Sequence, residues 1–418
     1  MVIASLSKAR GARAAPAITA RPWDLVIVDE AHHVKNRTTA SWKIVNAIET
    51  RFLLLLTATP IETDLEEIYN LVTLLRPGQF QTPAAFKAQF VDKSDPTSPK
   101  NRERLRALLG EVMIRNTRAA CGLKLPPRFV TTSLVDPAPE ERALYEAVVG
   151  LVRADVESGR RATLGSILLL EAGSSPDAVS ATLMKAEKRD GLSALSDAAR
   201  TAAAAGTRKL EHLATLLAAH QGHGLVFTRF RETAAAIVRS LERAKLRTAQ
   251  FIGGMSGAEK QDALARFRDE RCVLVATDVG GEGQNLQHCN VVINFDVPWN
   301  PMLLEQRIGR LHRMGQEREV HVYNLASRGT AEERLLDVLD RRVHLFELVV
   351  GEMDMVLGNL TDDRDLEDRV LALYAHSKND GEVEQGFDAI AQELLRARGR
   401  YEDTRKLDSA VFGEDFNA

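Results

Sequence analysis

The first part of the chain alternates short apolar runs with amphipathic stretches. Asp24–Val28 is an aliphatic, β-branched run followed by two acids, and residues 52–56 form a second apolar run. Apolar runs of this length are typical of strands buried in a parallel sheet. Residues 41–50 between them have a helical pattern, so we expect a βαβ unit. A further helix is predicted over residues 65–75.

The same alternation of apolar runs and amphipathic stretches returns later in the chain, after a long region without a strand pattern. Residues 80–205 lose the strand pattern and are rich in Ala, Leu, Arg and Glu, which predicts a helical insertion, and residues after 335 are helical and acidic. Strand-like runs lie between these regions at Gly224–Thr228, Thr248–Ile252, Cys272–Ala276, Val291–Phe295 and Val320–Leu325. The pattern predicts an α/β fold with two parallel-sheet domains, at residues 1–135 and 206–345, joined by a helical linker (136–205) and followed by an acidic helical tail (346–418).

Composition narrows the class of protein. Of 418 residues, 27% are charged and 44% hydrophobic, as in ordinary globular proteins. No apolar run approaches the ~20 residues that span a bilayer, so no membrane segment is expected. Three cysteines without a CxxC pair exclude a disulfide framework and a zinc knuckle, which fits a cytoplasmic protein. The formal charge is −3, with −9 on residues 351–418 and +6 on the remainder. The positively charged remainder of the chain can therefore attract phosphate groups.

Two polar segments follow the first two predicted strands. Asp29-Glu30-Ala31-His32 supplies a carboxylate that can hold Mg²⁺ through water and a second that can activate a water attacking a γ-phosphate. Two acids at a strand end also occur in ordinary solvated turns. Thr57-Ala58-Thr59 follows the neighbouring strand, so we expect its hydroxyls beside the first segment. Alone, such a segment is usually a turn with a capping hydroxyl.

The most specific signal is the run QRIGRLHRMGQ at residues 306–316. Arg310 and Arg313 are three apart, which predicts that they share one helical face. Two guanidinium groups projected toward a nucleotide act as arginine fingers, stabilising charge on the transferred phosphoryl group. A solvated basic helix is the alternative, but it has no need of Gly309 and two flanking glutamines.

A glycine-rich segment, Thr277–Leu286, follows another predicted strand. Its backbone amides can approach phosphates of a nucleotide or of DNA, although a structural turn explains a lone glycine loop equally well. Trp299 precedes the arginine-rich run; it either stacks on a base or fills the core, and the core is favoured.

These segments together resemble motifs II, III, V and VI of superfamily-two ATPases. LRPGQF at 75–80, GLVFTRF at 224–230 and LLEQRIGRLHRMGQ at 303–316 resemble the Swi/Snf group, and within it the bacterial RapA-like branch of helicases. The resemblance extends over residues 1–345. It implies two RecA-like lobes, the first incomplete, with ATP and Mg²⁺ between them, and translocation on double-stranded DNA in the cytoplasm, at the nucleoid.

The resemblance also implies roles for individual residues. Asp29 resembles the acid that holds Mg²⁺ through water, and Glu30 the residue that polarises the attacking water. Arg310 and Arg313 resemble the arginine fingers. Nucleotide binding and coupling fall to His32, Thr57, Thr59, Gly281, Gly283 and Gln306, and nucleic-acid contacts to Thr277, Asn285 and Arg229. RNA polymerase or another DNA-bound complex is an expected partner.

One departure from the family pattern concerns the phosphate-binding loop. The family carries GxxxxGK[ST], whose amides and lysine cradle the β- and γ-phosphates. This sequence contains no Gly-Lys dipeptide, and its first residues, MVIAS, resemble motif Ib. We therefore expect an open sheet edge in the first lobe and weak ATP binding by the chain alone, which is either truncated at its N-terminus or completed by a partner, a separate polypeptide that carries the loop.

Three functions stay open at this stage. The chain is the engine of an ATP-hydrolysing DNA translocase, a DNA- or partner-binding remnant without catalysis, or an ATPase that acts on RNA. The Swi/Snf-like segments favour DNA over RNA, and the set Asp29, Glu30, Arg310 and Arg313 favours an enzyme over a remnant.

Overall fold

The computed structural model describes residues 1–57, 60–61, 64–92, 98–115, 125–158, 163–186, 191–278, 286–348, 353, 356–357, 360 and 366–413. The chain forms two compact units. The first comprises residues 1–122, 355–359 and 396–418, and the second comprises residues 123–354 and 360–395. Each unit contains a parallel sheet with helices, so the predicted α/β class is confirmed. Among the described helices, none is both long and apolar enough to cross a membrane.

The first unit contains the predicted βαβ element. Strand β1 (Trp23–Val28) pairs in parallel with strand β2 (Thr50–Leu55), and the helix Ala40–Ala47 connects them. Thr39 begins this helix, because its side chain accepts the backbone N–H of Trp42 at 3.2 Å. Trp42 is buried and donates its indole N–H to the carbonyl of Asn70 at 3.2 Å. The connection therefore packs against the predicted helix that follows, Leu65–Leu75.

The two faces of this sheet differ in burial. Successive residues of a strand point to opposite faces. One face, which includes Val28, packs on the buried cluster around Trp42 and Val45. The other face is exposed in the described residues and consists of large apolar side chains between 48% and 57% accessible: Leu25, Ile27, Phe52, Leu54 and Leu56.

The remaining helices of the first unit form a second core. Besides Leu65–Leu75 they are Leu6–Ala9, Ala14–Thr19, the 3₁₀ turn Ala31–Val34, Pro83–Phe90 and Arg102–Gly110. The final part of the last helix, Asp380–Phe412, belongs to this unit, and its Val411 and Phe412 are buried with Phe86 and Leu105. The end of the chain therefore contributes to the core of the first unit.

The second unit is built on a six-stranded sheet. Its strands are β3 (Arg128–Val135), β4 (Gly224–Thr228), β5 (Thr248–Phe251), β6 (Val273–Thr277), β7 (Val291–Asn294) and β8 (Val320–Ser327). They lie in the order β3-β8-β7-β4-β6-β5, and every pair is parallel. Strands β4, β6 and β7 are buried along their whole length, as expected for a parallel sheet with both faces covered. The five strands predicted from residue 224 onward are confirmed.

Strand β3 was not predicted. Residues 80–205 lack a strand pattern in the sequence, yet Arg128–Val135 pairs with the whole of β8, from Arg128 opposite Val320 to Val135 opposite Ser327. A mostly helical region was expected here, and the expectation that it contains no strand was wrong. The segment RFVTTSLV mixes Thr and Ser with apolar residues because it is an edge strand, so it lacks the apolar run that identified the central strands.

Helices flank this sheet and complete the second unit. The described ones are Pro139–Glu157, Thr163–Ser174, Pro176–Lys185, Ser193–Ala205, Arg208–Ala219, Arg231–Arg243, Gly257–Asp269, Pro301–Ile308, Ala331–Leu336, a π turn at Asp337–Arg342, a 3₁₀ turn at Leu345–Glu347, Leu366–His376 and the first part of Asp380–Phe412. Trp299 is 2% exposed and fills the core, which confirms the favoured interpretation of this residue.

Candidate functional site

The acidic segment lies where β1 ends. Asp29 and Glu30 follow Val28 directly and are exposed, and the 3₁₀ turn Ala31–Val34 begins after them. The N–H of Ala31 donates to the carbonyl of Leu56 at 2.8 Å, and the N–H of Leu56 donates to the carbonyl of Val28 at 2.9 Å. Backbone hydrogen bonds thus hold the acidic turn against the end of β2.

Glu30 has an unusual backbone conformation. Its φ of 50° and ψ of 52° place it in the left-handed region, which residues other than glycine adopt at a cost. The carboxylate of Asp29 accepts the Glu30 N–H at 3.0 Å, and the Glu30 carboxylate lies 3.3 Å from Nδ1 of His32. The left-handed turn therefore brings three predicted site residues together and leaves both carboxylates accessible.

Of the predicted threonines, Thr57 lies one residue beyond the Leu56 backbone that holds this turn. Thr57 is half-buried and follows Leu56, whose carbonyl holds Ala31. Thr59 lies outside the described residues. The expectation that Thr57 follows a strand next to the acidic turn agrees with this arrangement.

Asp29 fits an indirect Mg²⁺ ligand. Mg²⁺ keeps several waters and is usually held by one or two carboxylates together with substrate phosphates. The exposed Asp29 carboxylate offers such oxygens, and the described ranges contain no group of three or more His, Cys, Asp or Glu side chains that could hold a metal by themselves. The donor set suits a metal that arrives with a nucleotide.

The arginine-rich segment is not a continuous helix. The helix Pro301–Ile308 includes only its first three residues, and residues 309–315 form successive turns. The prediction that Arg310 and Arg313 share one helical face was therefore wrong. Glycine is a poor helix former and readily adopts positive φ, and this segment contains Gly309 at its start and Gly315, with a φ of 95°, at its end.

Buried polar side chains hold these turns in place. The Gln316 side-chain amide donates to the carbonyls of Gln287 and Cys289 at 3.1 and 2.9 Å, and the His312 ring contacts the Pro126 carbonyl at 2.8 Å. Arg310 and Arg313 are half-buried, and neither guanidinium group forms a hydrogen bond or ion pair within the part of the chain that the structure describes. Gln306 is exposed on the preceding helix.

Arg307 is a residue of this segment that sequence reasoning missed. Its side chain is 3% exposed, and its Nε and Nη2 donate to the two carboxylate oxygens of Asp278 at 2.7 and 3.0 Å. Its Nη1 donates to Asn294 and to the backbone of Asp296 at 3.2 and 2.9 Å. An arginine between Leu304 and Ile308 lies on the apolar face of the helix, and that position is the signal that could have identified it.

The glycine-rich segment begins at the end of β6. Thr277 is 5% exposed, and its hydroxyl accepts the N–H of Gly253 at 3.3 Å. Gly281, Gly283 and Asn285 lie outside the described residues. The hydroxyl of Thr277 thus stabilises backbone at the sheet edge.

Arg229 follows β4 at the same edge of the sheet. Thr228 pairs with Thr277 in the parallel register, so the ends of β4 and β6 are adjacent. The Arg229 guanidinium donates to the Glu367 carboxylate at 2.7 and 3.0 Å. Burial of the guanidinium group lowers the pKa of Arg229, but the hydrogen bond and the negative charge of Glu367 raise it. The net result is a pKa above the ordinary value of arginine.

A buried carboxylate fixes the backbone at this edge. Asp296 accepts the hydroxyls of Thr228 and Ser174 at 2.5 and 2.8 Å, and both its oxygens accept the Arg229 N–H at 3.0 Å. Ser174 ends a helix of the predicted insertion, so the insertion contributes directly to this site.

A second buried carboxylate, Glu332, lies close to this network. It pairs with Lys209 at 3.4 Å and accepts the N–H of Val297 at 3.2 Å. Burial raises the pKa of Glu332 to about 7, although Lys209 acts in the opposite direction.

Two family descriptions match the sequence. Residues 1–188 match the SNF2-related domain, and residues 208–315 match the helicase conserved C-terminal domain. The second match contains the arginine-rich segment and Arg229, and the first contains the acidic turn.

Several known proteins are similar to this chain in sequence. The chain is 37% identical over 406 residues to the uncharacterized ATP-dependent helicase YqhH of Bacillus subtilis. The aligned residues cover 94% of this chain and 72% of that protein. It is 26% identical to the CHD3-type chromatin-remodeling factor PICKLE of Arabidopsis thaliana, of which it spans 24%. The solved structure of the SWI2/SNF2 ATPase core of Sulfolobus solfataricus in complex with double-stranded DNA is 23% identical in sequence, with a TM-score of 0.37. The superposition covers 82% of this chain and 72% of the Sulfolobus chain. The chain belongs to the family of SNF2-related ATP-dependent helicases with a helicase C-terminal domain.

Proposed function

We propose that this chain carries the acidic turn and the arginine fingers of an ATPase that translocates on double-stranded DNA and displaces bound protein. The observation that best supports the proposal is the arginine-rich segment. Buried Arg307, His312 and Gln316 hold the turns, while the guanidinium groups of Arg310 and Arg313 make no hydrogen bond or ion pair within the described residues. Guanidinium groups fixed through their backbone and free of internal carboxylates suit a phosphoryl group that gains charge.

The acidic turn supplies the other half of the chemistry. We assign to Asp29 the role of holding Mg²⁺ through water and to Glu30 that of orienting and deprotonating the attacking water. Mg²⁺ supplies charge neutralisation at the β- and γ-phosphates when it is bound. His32 positions Glu30 through their 3.3 Å contact, and Thr57 and Thr59 transmit the nucleotide state from the neighbouring segment. Gly281, Gly283 and Gln306 complete the nucleotide contacts.

Duplex DNA is the proposed track. Arg229 directly follows β4 and Thr277 ends β6, at the sheet edge at which ligands of parallel α/β folds bind, and Asn285 lies outside the described residues. We assign the phosphate contact to Arg229, while Thr277 shapes the loop that reaches the nucleic acid. RNA polymerase or another DNA-bound complex is the proposed target, the RapA-like branch the proposed lineage, and the cytoplasmic nucleoid the proposed location.

The phosphate cradle is the missing part of the proposed site. The 418 residues contain no Gly-Lys dipeptide, and the sheet face formed by Leu25, Ile27, Phe52, Leu54 and Leu56 is exposed in the described part of the chain. Parallel sheets are normally covered on both faces. We infer that a polypeptide carrying GxxxxGK[ST] packs on this face and supplies the cradle, and that residues 1–418 alone hydrolyse ATP poorly.

ATP hydrolysis by the purified chain, with and without duplex DNA, tests the proposal. Addition of a polypeptide that carries the phosphate-binding loop should restore DNA-stimulated turnover, and Arg310→Ala should abolish it. Arg268→Ala is the matched control, because this exposed arginine of the same unit forms its described ion pair with the neighbouring Asp269. Turnover that resists Arg310→Ala, or that duplex RNA stimulates as well as DNA, would contradict the proposal.

A second candidate is a protein that binds DNA or a partner without catalysis. This candidate predicts salt-sensitive DNA binding that ATP does not change, even with the loop-bearing polypeptide present. A DNA affinity that depends on the nucleotide would exclude it.

A further inference from the structure

Arg229 occupies a fixed position at the C-terminal edge of the second sheet. Its backbone N–H is held by both oxygens of the buried Asp296, each at 3.0 Å, so the start of its side chain is immobilised. The guanidinium group extends from this point and its side chain is 37% exposed. A cation of this kind, anchored at its backbone and accessible at its tip, is well placed to contact an anion from solution.

In the structure a carboxylate already pairs with this guanidinium group. Nη1 and Nη2 of Arg229 donate to the two oxygens of Glu367 at 2.7 and 3.0 Å. Bidentate geometry of this type is the one in which arginine also binds the oxygens of a phosphate. Glu367 therefore stands where a backbone phosphate of a nucleic acid would bind.

Glu367 is presented by a helix that is docked without its help. On the helix Leu366–His376, three residues at helical spacing are buried: Leu366, Val370 and Tyr374. The hydroxyl of Tyr374 accepts a hydrogen bond from Arg334 at 2.9 Å, and Arg369 pairs with Glu393 at 2.6 Å. The ion pair with Arg229 is thus not needed to seat the helix.

We propose that Glu367 is an internal competitor for phosphate at Arg229, so that the acidic helix Leu366–His376 lowers the affinity of the second unit for duplex DNA until a DNA phosphate displaces the carboxylate. The proposal rests on the proposed function, in which this unit contacts duplex DNA. An exposed ion pair stabilises a fold little, whereas the same pair reduces the apparent affinity to the fraction of molecules in which the cation is free. The acidic helix then limits binding to DNA that competes well for the arginine.

A matched pair of substitutions tests this competition. Glu367→Gln and Asp368→Asn remove one negative charge each from the first turn of the same helix, but Asp368 is exposed and no contact of its side chain is described. Dissociation constants for a fluorescently labelled duplex oligonucleotide would be measured by anisotropy at several salt concentrations. We expect Glu367→Gln to tighten binding about two-fold to five-fold more than Asp368→Asn, the range for the loss of an exposed ion pair.

Combining each substitution with Arg229→Gln separates competition from general charge. In that background the advantage of Glu367→Gln over Asp368→Asn should disappear, because no guanidinium group is released. Arg229→Gln itself should reduce the slope of log affinity against log salt by about 0.9, the value for one phosphate contact. Arg239→Gln, which changes an arginine paired with Asp177 on a flanking helix, is the control for this slope.

The outcomes distinguish the two proposals. Salt-sensitive binding with equal effects of Glu367→Gln and Asp368→Asn would overturn the competition and leave the proposed function standing. An advantage of Glu367→Gln that persists in the Arg229→Gln background would also overturn it, as would a loss of thermal stability without a change in affinity. Absence of DNA binding by every variant would overturn both.

Discussion

Arg307 donates two hydrogen bonds, at 2.7 and 3.0 Å, to the two carboxylate oxygens of Asp278. Asp278 follows β6 and is the second residue of the glycine-rich segment, and Arg307 precedes the turns that carry Arg310 and Arg313. The pair is nearly inaccessible on the arginine side, where only 3% of the side chain is exposed. It joins two segments to which the resemblance assigns contacts with the nucleotide, so its loss should disturb both.

Replacement of Arg307 by alanine should destabilise the second unit. Removing one partner of a buried, hydrogen-bonded ion pair leaves the other charge uncompensated, which costs about 3 to 5 kcal/mol. The free energy of unfolding in urea would be measured for Arg307→Ala and for Arg310→Ala. Because the side chain of Arg310 makes no described hydrogen bond, its loss should cost much less, and equal losses of stability would contradict the distinction between anchor and finger.

The exposed face of the two-stranded sheet gives a second prediction. Ile27 is 55% exposed and its neighbour Val28 is 6% exposed, on the opposite face. Ile27→Thr should change the free energy of unfolding by no more than about 0.5 kcal/mol. Val28→Thr should cost about 1 to 3 kcal/mol because it buries a hydroxyl group.

The same two variants should differ in surface hydrophobicity. Fluorescence of a hydrophobic dye should fall in Ile27→Thr, which shrinks the exposed apolar face, and should not fall in Val28→Thr.

Restored ATP turnover with the loop-bearing polypeptide should also weaken in Ile27→Thr if that polypeptide packs here. A dye signal and turnover unchanged by Ile27→Thr would argue that this face binds nothing.

The end of the chain should matter to the first unit. Phe412 is fully buried, and the guanidinium carbon of Arg115 lies 4.4 Å from the centre of its ring. Phe412→Ala should cost about 3 to 5 kcal/mol, as for other buried aromatic residues. Leu395→Ala on the same helix is the control, because Leu395 is 40% exposed. Unfolding followed by the fluorescence of Trp42 would report the effect, and equal stability of the two variants would contradict the packing.

Glu332 predicts how stability depends on pH. Its pKa is raised from 4.5 to about 7, so the folded state holds the proton more tightly than the unfolded chain. The resulting stabilisation is complete below the ordinary pKa and is lost as the pH rises through about 7. Glu332→Gln mimics the protonated carboxyl group and should flatten the decline in melting temperature between pH 5 and pH 7.5, roughly the window that these pKa values set. Glu317→Gln, an exposed control, should leave the decline unchanged.

The sequence was most informative where burial is uniform or a motif is dense. The central strands β4, β6 and β7 are buried throughout, so their apolar runs identified them. The acidic turn was identified by the position of Asp29 and Glu30 after such a run. The strand β3 was missed because an edge strand tolerates polar residues. The turns around Arg310 were mistaken for a helix because the spacing of Arg310 and Arg313 does not show that the preceding helix ends at Gly309.

Local pattern by itself determined the α/β class, most of the strands and the candidate chemistry of Asp29, Glu30, Arg310 and Arg313, because these depend on short-range periodicity and on residue type. Only the tertiary structure decided which partners the charges have. Arg307 meets Asp278 and Arg229 meets Glu367 across 29 and 138 residues of sequence. Phe412 packs near Leu105 for the same reason: such contacts depend on how distant segments fold together, and no local periodicity records that choice.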